Sequence, residues 1–262
     1  MLNGPAPASG LVVKLTSSNP LIASTAPNVT IPAGSTSSTF PINTLAVTFS
    51  QTAMIHASSG GVIQSGLITV IPFTITSLVV SPTSVPGGTN ASGTVSLNAS
   101  PNSKITIGIS SSSKQITFPT SVLVSVGASS VTFGIGTSVV SDVVSAQINA
   151  NLGQSTQTTS LTITPPKLSG ISVSPSKVQG SSSSKVTGTV SLTGPAPKGG
   201  VIISLDSSDT SAVKVPSTIN VSAGKSSATF PVSHVKVKTQ ISVVISGAHS
   251  GVSLGTTLVV TP

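Results

Sequence analysis

The chain has 262 residues but very few charged ones: 11 are Lys or Arg and 3 are Asp or Glu, which gives a formal net charge of +8. A third of the residues are Ser or Thr, and Cys, Trp and Tyr are absent, so disulfides, thiol catalysis and thiolate metal sites are excluded. Because low charge with 37% hydrophobic residues is the opposite of the signature of disorder, we expect a folded chain with a hydroxyl-covered surface.

The sequence repeats itself. Residues 2–7 (LNGPAP) recur as residues 192–197 (LTGPAP), and the offset of 190 then holds without a gap until Pro72 matches Pro262. Repeats of this kind usually form an array of domains.

Another copy lies between these two, and we number the copies first, second and third in chain order. Its Gly-Thr-Val-Ser-Leu motif at residues 93–97 is identical to residues 188–192. One aromatic position is shared by all copies: Phe40, Phe133 and Phe230. The first copy lacks everything equivalent to residues 167–190.

The third copy shows the pattern of strands most completely. Alternating apolar residues, β-branched residues and Gly or Pro boundaries predict seven strands, and no segment has helical periodicity with caps. The predicted strands are residues 168–173, 186–192, 201–205, 219–221, 228–232, 241–245 and 257–260. Seven short strands in roughly 95 residues are typical of an immunoglobulin-like β-sandwich.

We therefore expect an all-β protein of tandem immunoglobulin-like β-sandwiches, at residues 1–72, 73–165 and 166–262, the first lacking its first two strands. The joints are short and contain Pro72 or Pro165-Pro166. Because proline fixes φ and restricts the preceding residue, these joints should bend little. A semi-rigid row of this kind suits a stalk or fibre.

Four motifs of the third copy carry a resemblance. They are Ser-Pro-x-x-Val at residues 174–178, Gly-Thr-Val-x-Leu at 188–192, Gly-Pro-Ala-Pro-x-Gly-Gly at 194–200 and Ala-Gly-x-Ser-Ser-Ala-Thr-Phe-Pro-Val at 223–232. The chain resembles, over its whole length, the immunoglobulin-like (Big-type) repeats of large bacterial surface, adhesin or extracellular fibre proteins. The resemblance implies an extracellular or cell-surface location, with the export signal outside this chain, and names no ligand.

The residues that usually carry chemistry are scarce. Three Asp, three His and no Glu or Cys cannot supply a conventional carboxylate pair, so we predict no catalytic, cofactor or metal site and no enzymatic activity. Asp206 and Asp209 fall on a predicted loop that His234 could approach, and a solvated pair of carboxylates is favoured there over a metal site.

Partners are predicted from the distribution of lysine. Eight of the 11 lysines fall in the third copy, which favours an anionic cell-wall or surface polymer, although the same lysines could simply keep an uncharged rod soluble. Without Arg and with few aromatics, specific nucleic-acid recognition is not expected. No apolar run is long enough to span a bilayer.

Two functions remain open at this point. The first is structural, in a fibre, stalk or surface layer that extends and self-associates. The second is an adhesin segment that binds carbohydrate or a host or cell-surface protein. The absence of Trp and Tyr, which usually form carbohydrate platforms, favours the structural function.

The incomplete first copy predicts an assembly site. In an immunoglobulin-like sandwich the second strand lies between the first strand and a later one, so residues 1–72 should have an open edge and an uncovered apolar groove. A strand from a neighbouring molecule would fill it, or else upstream strands of a longer polypeptide complete the domain. The residues concerned, in the groove and in the equivalent covering strands, are Leu2, Phe40, Leu168, Ile171, Val173, Val186, Val190 and Leu192.

Overall fold

The computed structural model describes all 262 residues, and its regular elements are 24 strands without a helix. The predicted all-β fold is confirmed. No helix long and apolar enough to cross a lipid bilayer is present.

The first copy contains six strands. They are β1 (Leu11–Ser17), β2 (Ala23–Thr25), β3 (Asn28–Ile31), β4 (Ile42–Thr44), β5 (Gln51–Ser59) and β6 (Val62–Val70). One antiparallel sheet has the order β3-β1-β5-β6, and β2 pairs with β4 in a separate two-stranded ladder.

The second copy contains nine strands in two sheets. They are β7 (Ile75–Ser81), β8 (Ser84–Pro86), β9 (Asn90–Leu97), β10 (Ile105–Ser110), β11 (Ile116–Thr117), β12 (Ser121–Val124), β13 (Ser130–Thr137), β14 (Val144–Leu152) and β15 (Ser155–Thr164). The sheet orders are β11-β13-β9-β7 and β12-β10-β14-β15-β8. Between the two sheets lies a core of 21 buried residues.

The third copy repeats this arrangement. Its strands are β16 (Leu168–Ser174), β17 (Lys177–Gln179), β18 (Val186–Leu192), β19 (Val201–Ser207), β20 (Val213–Lys214), β21 (Thr218–Val221), β22 (Ser227–His234), β23 (Ile241–His249) and β24 (Val252–Thr261). The sheets β16-β18-β22-β20 and β17-β24-β23-β19-β21 enclose 19 buried residues.

This strand order is that of an immunoglobulin-like sandwich. In each complete copy the first, second and fifth major strands share one sheet, and the third, sixth and seventh share the other. The predicted alternation also holds, because β18 turns Val186, Gly188, Val190 and Leu192 inward. The short strands β17 and β20 were not predicted, since two or three residues are too few to show alternation.

The joints are held by the same hydrogen bonds in both places. At the first joint, Thr74 N donates to the Asn98 side chain at 3.0 Å, Asn98 N donates back to Thr74 O, and Asn98 Nδ2 reaches Pro72 O. At the second joint, Lys167 N donates to Thr193 Oγ1 at 2.9 Å and Thr193 N donates to Lys167 O. Each joint is therefore fixed to the loop that follows the second strand of the next copy.

A second contact at the second joint crosses between copies. The loop of the third copy that contains Gly194 and Pro195 lies against the turn of the second copy at Gly88, where φ is +84°. A Cβ on Gly88 would lie 2.5 Å from Pro195 Cγ, so only glycine permits this approach.

We expect Gly88→Ala to change the angle between the second and third copies. Gly127→Ala is the matched control, because Gly127 also has a positive φ but has no neighbour within 4 Å of its Cβ position. Both variants should lose about 1 kcal/mol to backbone strain. Only Gly88→Ala should alter the small-angle scattering profile and the amide shifts of Gly194 and Ala196. Identical profiles and shifts in the two variants would contradict this joint.

Candidate assembly site

The first copy contains four of the five strands of one sheet of the sandwich. Its sheet β3-β1-β5-β6 has the same registers as β21-β19-β23-β24 of the third copy. In the opposite sheet of the third copy, β18 pairs with β16 on one side and with β22 on the other. The first copy has no counterpart of β16, β17 or β18.

Loss of the second strand also removes most of the strand that pairs with it. Residues 227–231 belong to β22 and pair with β18, whereas the equivalent residues 37–41 form no strand, although their sequences differ at one position only. The short strand β4 persists because it pairs with β2, as the end of β22 pairs with β20. Residues 37–41 therefore have the sequence of a strand and lack its partner.

Leu2 marks where the second strand of the first copy ends. Its N–H donates to Thr36 O at 2.8 Å, and at the equivalent position Leu192 N donates to Ser226 O at the same distance. Leu2 thus lies at the last position of a β18-like strand, and residues 37–41 line the rest of that strand's path.

The inner face of the first copy is only partly covered. In the third copy three inward side chains are almost fully buried: Phe230 (1% exposed), Ile203 (0%) and Leu258 (0%). Their equivalents are only half-buried: Phe40, Val13 and Ile68. Four residues make up the main buried cluster of the first copy, against 19 in the third. The face that β16 and β18 cover in the third copy is only partly covered in the first copy, and we call it the groove.

Apolar surface continues around the edge strand β6. Val62 is the first residue of this strand and lies on its inward face, and it is 62% exposed. On the outer face Ile63 and Leu67 are 64% and 66% exposed, where the third copy has Ser253 and Thr257. This is more exposed aliphatic surface on one strand than a monomeric sandwich usually presents.

The groove can accept an extended polypeptide. Backbone groups of residues 37–41 are free of ladder partners, and the half-buried side chains beneath them offer apolar contact. Addition of a strand to such an edge gives affinity through main-chain hydrogen bonds and specificity through the side chains that point inward.

The structure places the predicted assembly residues in two separate copies. Leu2 and Phe40 lie in the first copy, and both are half-buried. The others lie on β16 and β18 of the third copy, where all but the half-buried Ile171 are buried: Leu168, Ile171, Val173, Val186, Val190 and Leu192. They show what covers the groove in a complete copy, and their role in the first copy stays a prediction.

The acidic pair is arranged differently from the expectation. Asp206 lies in strand β19 and not in a loop. Asp209 Oδ1 accepts hydrogen bonds from Ser211 Oγ at 2.6 Å and Ser211 N at 3.0 Å, and these bonds lower the pKa of Asp209. His234 Nε2 lies 3.0 Å from Ser184 O. No group of three His, Cys, Asp or Glu side chains that could hold a metal is present.

Sequence reasoning missed two features of the site. It did not predict that residues 37–41 would form no strand, because the local sequence pattern does not show whether a partner strand is present. It also gave no role to Gly93 and Gly188, although a glycine inside a strand pattern often marks a close approach.

We expect the same substitution to have unequal effects in the two copies. Phe230→Ala should lower the free energy of unfolding of the third copy by about 3–5 kcal/mol, because it empties a buried site. Phe40→Ala should cost the first copy only about 1–2 kcal/mol, because its ring is partly exposed and lacks a covering strand. Urea denaturation followed by NMR signals of each copy measures both. Equal losses would show that Phe40 is packed as fully as Phe230.

The chain matches no protein-family model and no curated protein. Among solved structures it is similar to invasin, described as a bacterial integrin-binding protein, with 14% identity and a TM-score of 0.36 over 100% of this chain and 59% of that one. It is similar to the D00-D0 domain of intimin, with 15% identity and a TM-score of 0.33 over 71% of this chain and 100% of that one. It is also similar to domains 4 and 5 of the S-layer protein SbsC, with 17% identity and a TM-score of 0.31 over 62% of this chain and 74% of that one. The immunoglobulin-like assignment itself rests on strand order and register.

Proposed function

We propose that the chain is part of an extracellular surface protein, in which a semi-rigid row of immunoglobulin-like sandwiches at residues 1–72, 73–165 and 166–262 acts as a stalk, fibre or surface layer. The repeated hydrogen bonds at both joints and the contact between Gly88 and Pro195 support stiffness. The surface of hydroxyl groups and the absence of Cys suit a row that relies on its apolar cores alone.

We further propose that this row assembles by strand complementation at its first copy. The groove carries the proposal, because the same face is covered by two strands in the other two copies. Covering it would bury the remaining surface of Phe40, Val13 and Ile68, worth on the order of 1 kcal/mol for each half-buried side chain. It would also give residues 37–41 a ladder partner.

The third copy is the part that we propose to contact an anionic surface polymer. All eight of its lysines are exposed, and Asp206 and Asp209 are its only acidic residues. Exposed ammonium groups without a fixed carboxylate partner attract polyanions in a salt-dependent way.

Hydrogen exchange of the whole chain tests the strand-complementation proposal. Amides of the first copy should exchange faster than those of the other two, and a peptide of residues 167–190 should slow exchange at residues 37–41. The peptide ends at 190 because Met1 and Leu2 already occupy the two following positions. A peptide of the same composition in shuffled order is the control.

The proposal also predicts that residues 1–72 alone are unfolded or aggregated and are rescued by the same peptide. A first copy that is as well protected as the third without any peptide would overturn it. So would a stable, monomeric fragment with dispersed amide signals.

A further inference from the structure

Both complete copies place a phenylalanine directly over a glycine on the neighbouring strand. Phe133 is the register partner of Gly93, and Phe230 is the register partner of Gly188. A Cβ on either glycine would approach the facing ring closer than 3.0 Å, a distance that real Cβ atoms do not reach. Each ring therefore occupies the space that any other side chain would need.

The rings have no room to move aside. Phe133 is 6% exposed and Phe230 is 1% exposed, each within the core of its copy. Adding a methyl or a larger group beneath a buried ring forces it out of its rotamer or shifts the backbone, and such overpacking is strongly unfavourable. Glycine and phenylalanine thus form an obligate pair in this sandwich.

In the first copy the phenylalanine is present without its glycine. Phe40 is equivalent to Phe230, is half-buried and lies in residues 37–41, which have no partner strand. Ile42 and Thr39 are equivalent to Val232 and Thr229, which face Val186 and Thr189 of β18. A covering strand in the same register would therefore read apolar, any, glycine, any, apolar along the chain, as residues 186–190 do, with the apolar residues and the glycine facing inward.

The outward face adds a weaker preference. In the second copy Thr94 and Thr132 are register partners, and their hydroxyls lie 2.9 Å apart. Thr39 is equivalent to Thr132, so a threonine directly after the glycine would lie opposite Thr39, although the equivalent pair of the third copy, Thr189 and Thr229, forms no hydrogen bond between its hydroxyls. Both complete copies have that threonine, in the motif Gly-Thr-Val-Ser-Leu.

We propose that Phe40 determines which strand completes the first copy: the donor is an extended strand of the same kind as β9 and β18, with glycine in register with Phe40. The inference rests on the proposed strand complementation and names its donor. An unrelated extended segment with a side chain at that position should bind more weakly, because in the register of β18 its Cβ would meet the ring of Phe40.

Labelled peptides added to the whole chain test this selection. The native peptide of residues 167–190 should bind, and the same peptide with Gly188→Val should bind about 10- to 100-fold more weakly by fluorescence anisotropy. The peptide with Thr189→Val is the matched control, because it places the same valine side chain on the outward face, where no ring lies beneath it, and it should lose less than about fivefold.

A variant of the chain separates steric selection from general loss of strand pairing. Phe40→Ala removes the ring, so the native and Gly188→Val peptides should bind it with affinities within about threefold of each other. If Phe40→Ala restores binding of the Gly188→Val peptide, the ring of Phe40 is what rejects the valine. A purely structural role of Phe40 would not produce this rescue.

A fusion of the donor segment to the chain tests the same selection without depending on peptide affinity. Residues 167–190 are fused before Met1, with Gly188 or with Gly188→Val, and exchange protection of residues 37–41 is compared. If Gly188→Val binds and protects as well as glycine, the selection by Phe40 is overturned while strand complementation stands. If neither the peptides nor the fusions protect the first copy, both proposals are overturned.

Discussion

Strand pairing across the second strand is the interaction on which the rest of each copy depends. Where β18 is present, β22 is a continuous strand, Phe230 is buried and 19 residues form one core. Where its counterpart is missing, nearly the same sequence at residues 37–41 has no regular structure. The conformation of this segment is therefore decided by a neighbour from a distant part of the sequence and not by its own propensity.

The opposite sheet behaves differently. In the first copy β1, β3, β5 and β6 keep the registers of the complete third copy although half of the sandwich is missing. β5 and β6 are joined by a tight hairpin, whereas β1 pairs with β5 over a long stretch of sequence, as in the pair Leu15–Ala57. The registers are thus specified within the copy, although the sheet still needs covering strands to be stable. The first copy therefore has one sheet, β3-β1-β5-β6, whose pairing its own residues specify, and an opposite sheet that needs additional strands.

Much of this could be predicted from the sequence. Period-2 alternation at residues such as Val186, Val190 and Leu192 identified the strands, and the offset of 190 identified the missing ones. The position of Asp206 in β19 was missed because polar residues at strand ends resemble loops. The role of Gly188 was missed because a glycine in the sequence does not indicate what occupies the space beside it. Here that space is filled by the ring of Phe230, which lies some 40 residues away along the chain.

The pairing of Phe with Gly has a consequence for how such an array folds. Because β9 and β18 carry the same five-residue motif and Phe133 and Phe230 present the same ring, the strand of one copy fits the sheet of the next. In a tandem array of such copies, a strand paired with the wrong neighbour would therefore keep the contact between glycine and phenylalanine, so this contact does not distinguish one copy from the next. What then favours correct pairing is proximity along the chain, since the shorter loop closes at the lower entropic cost.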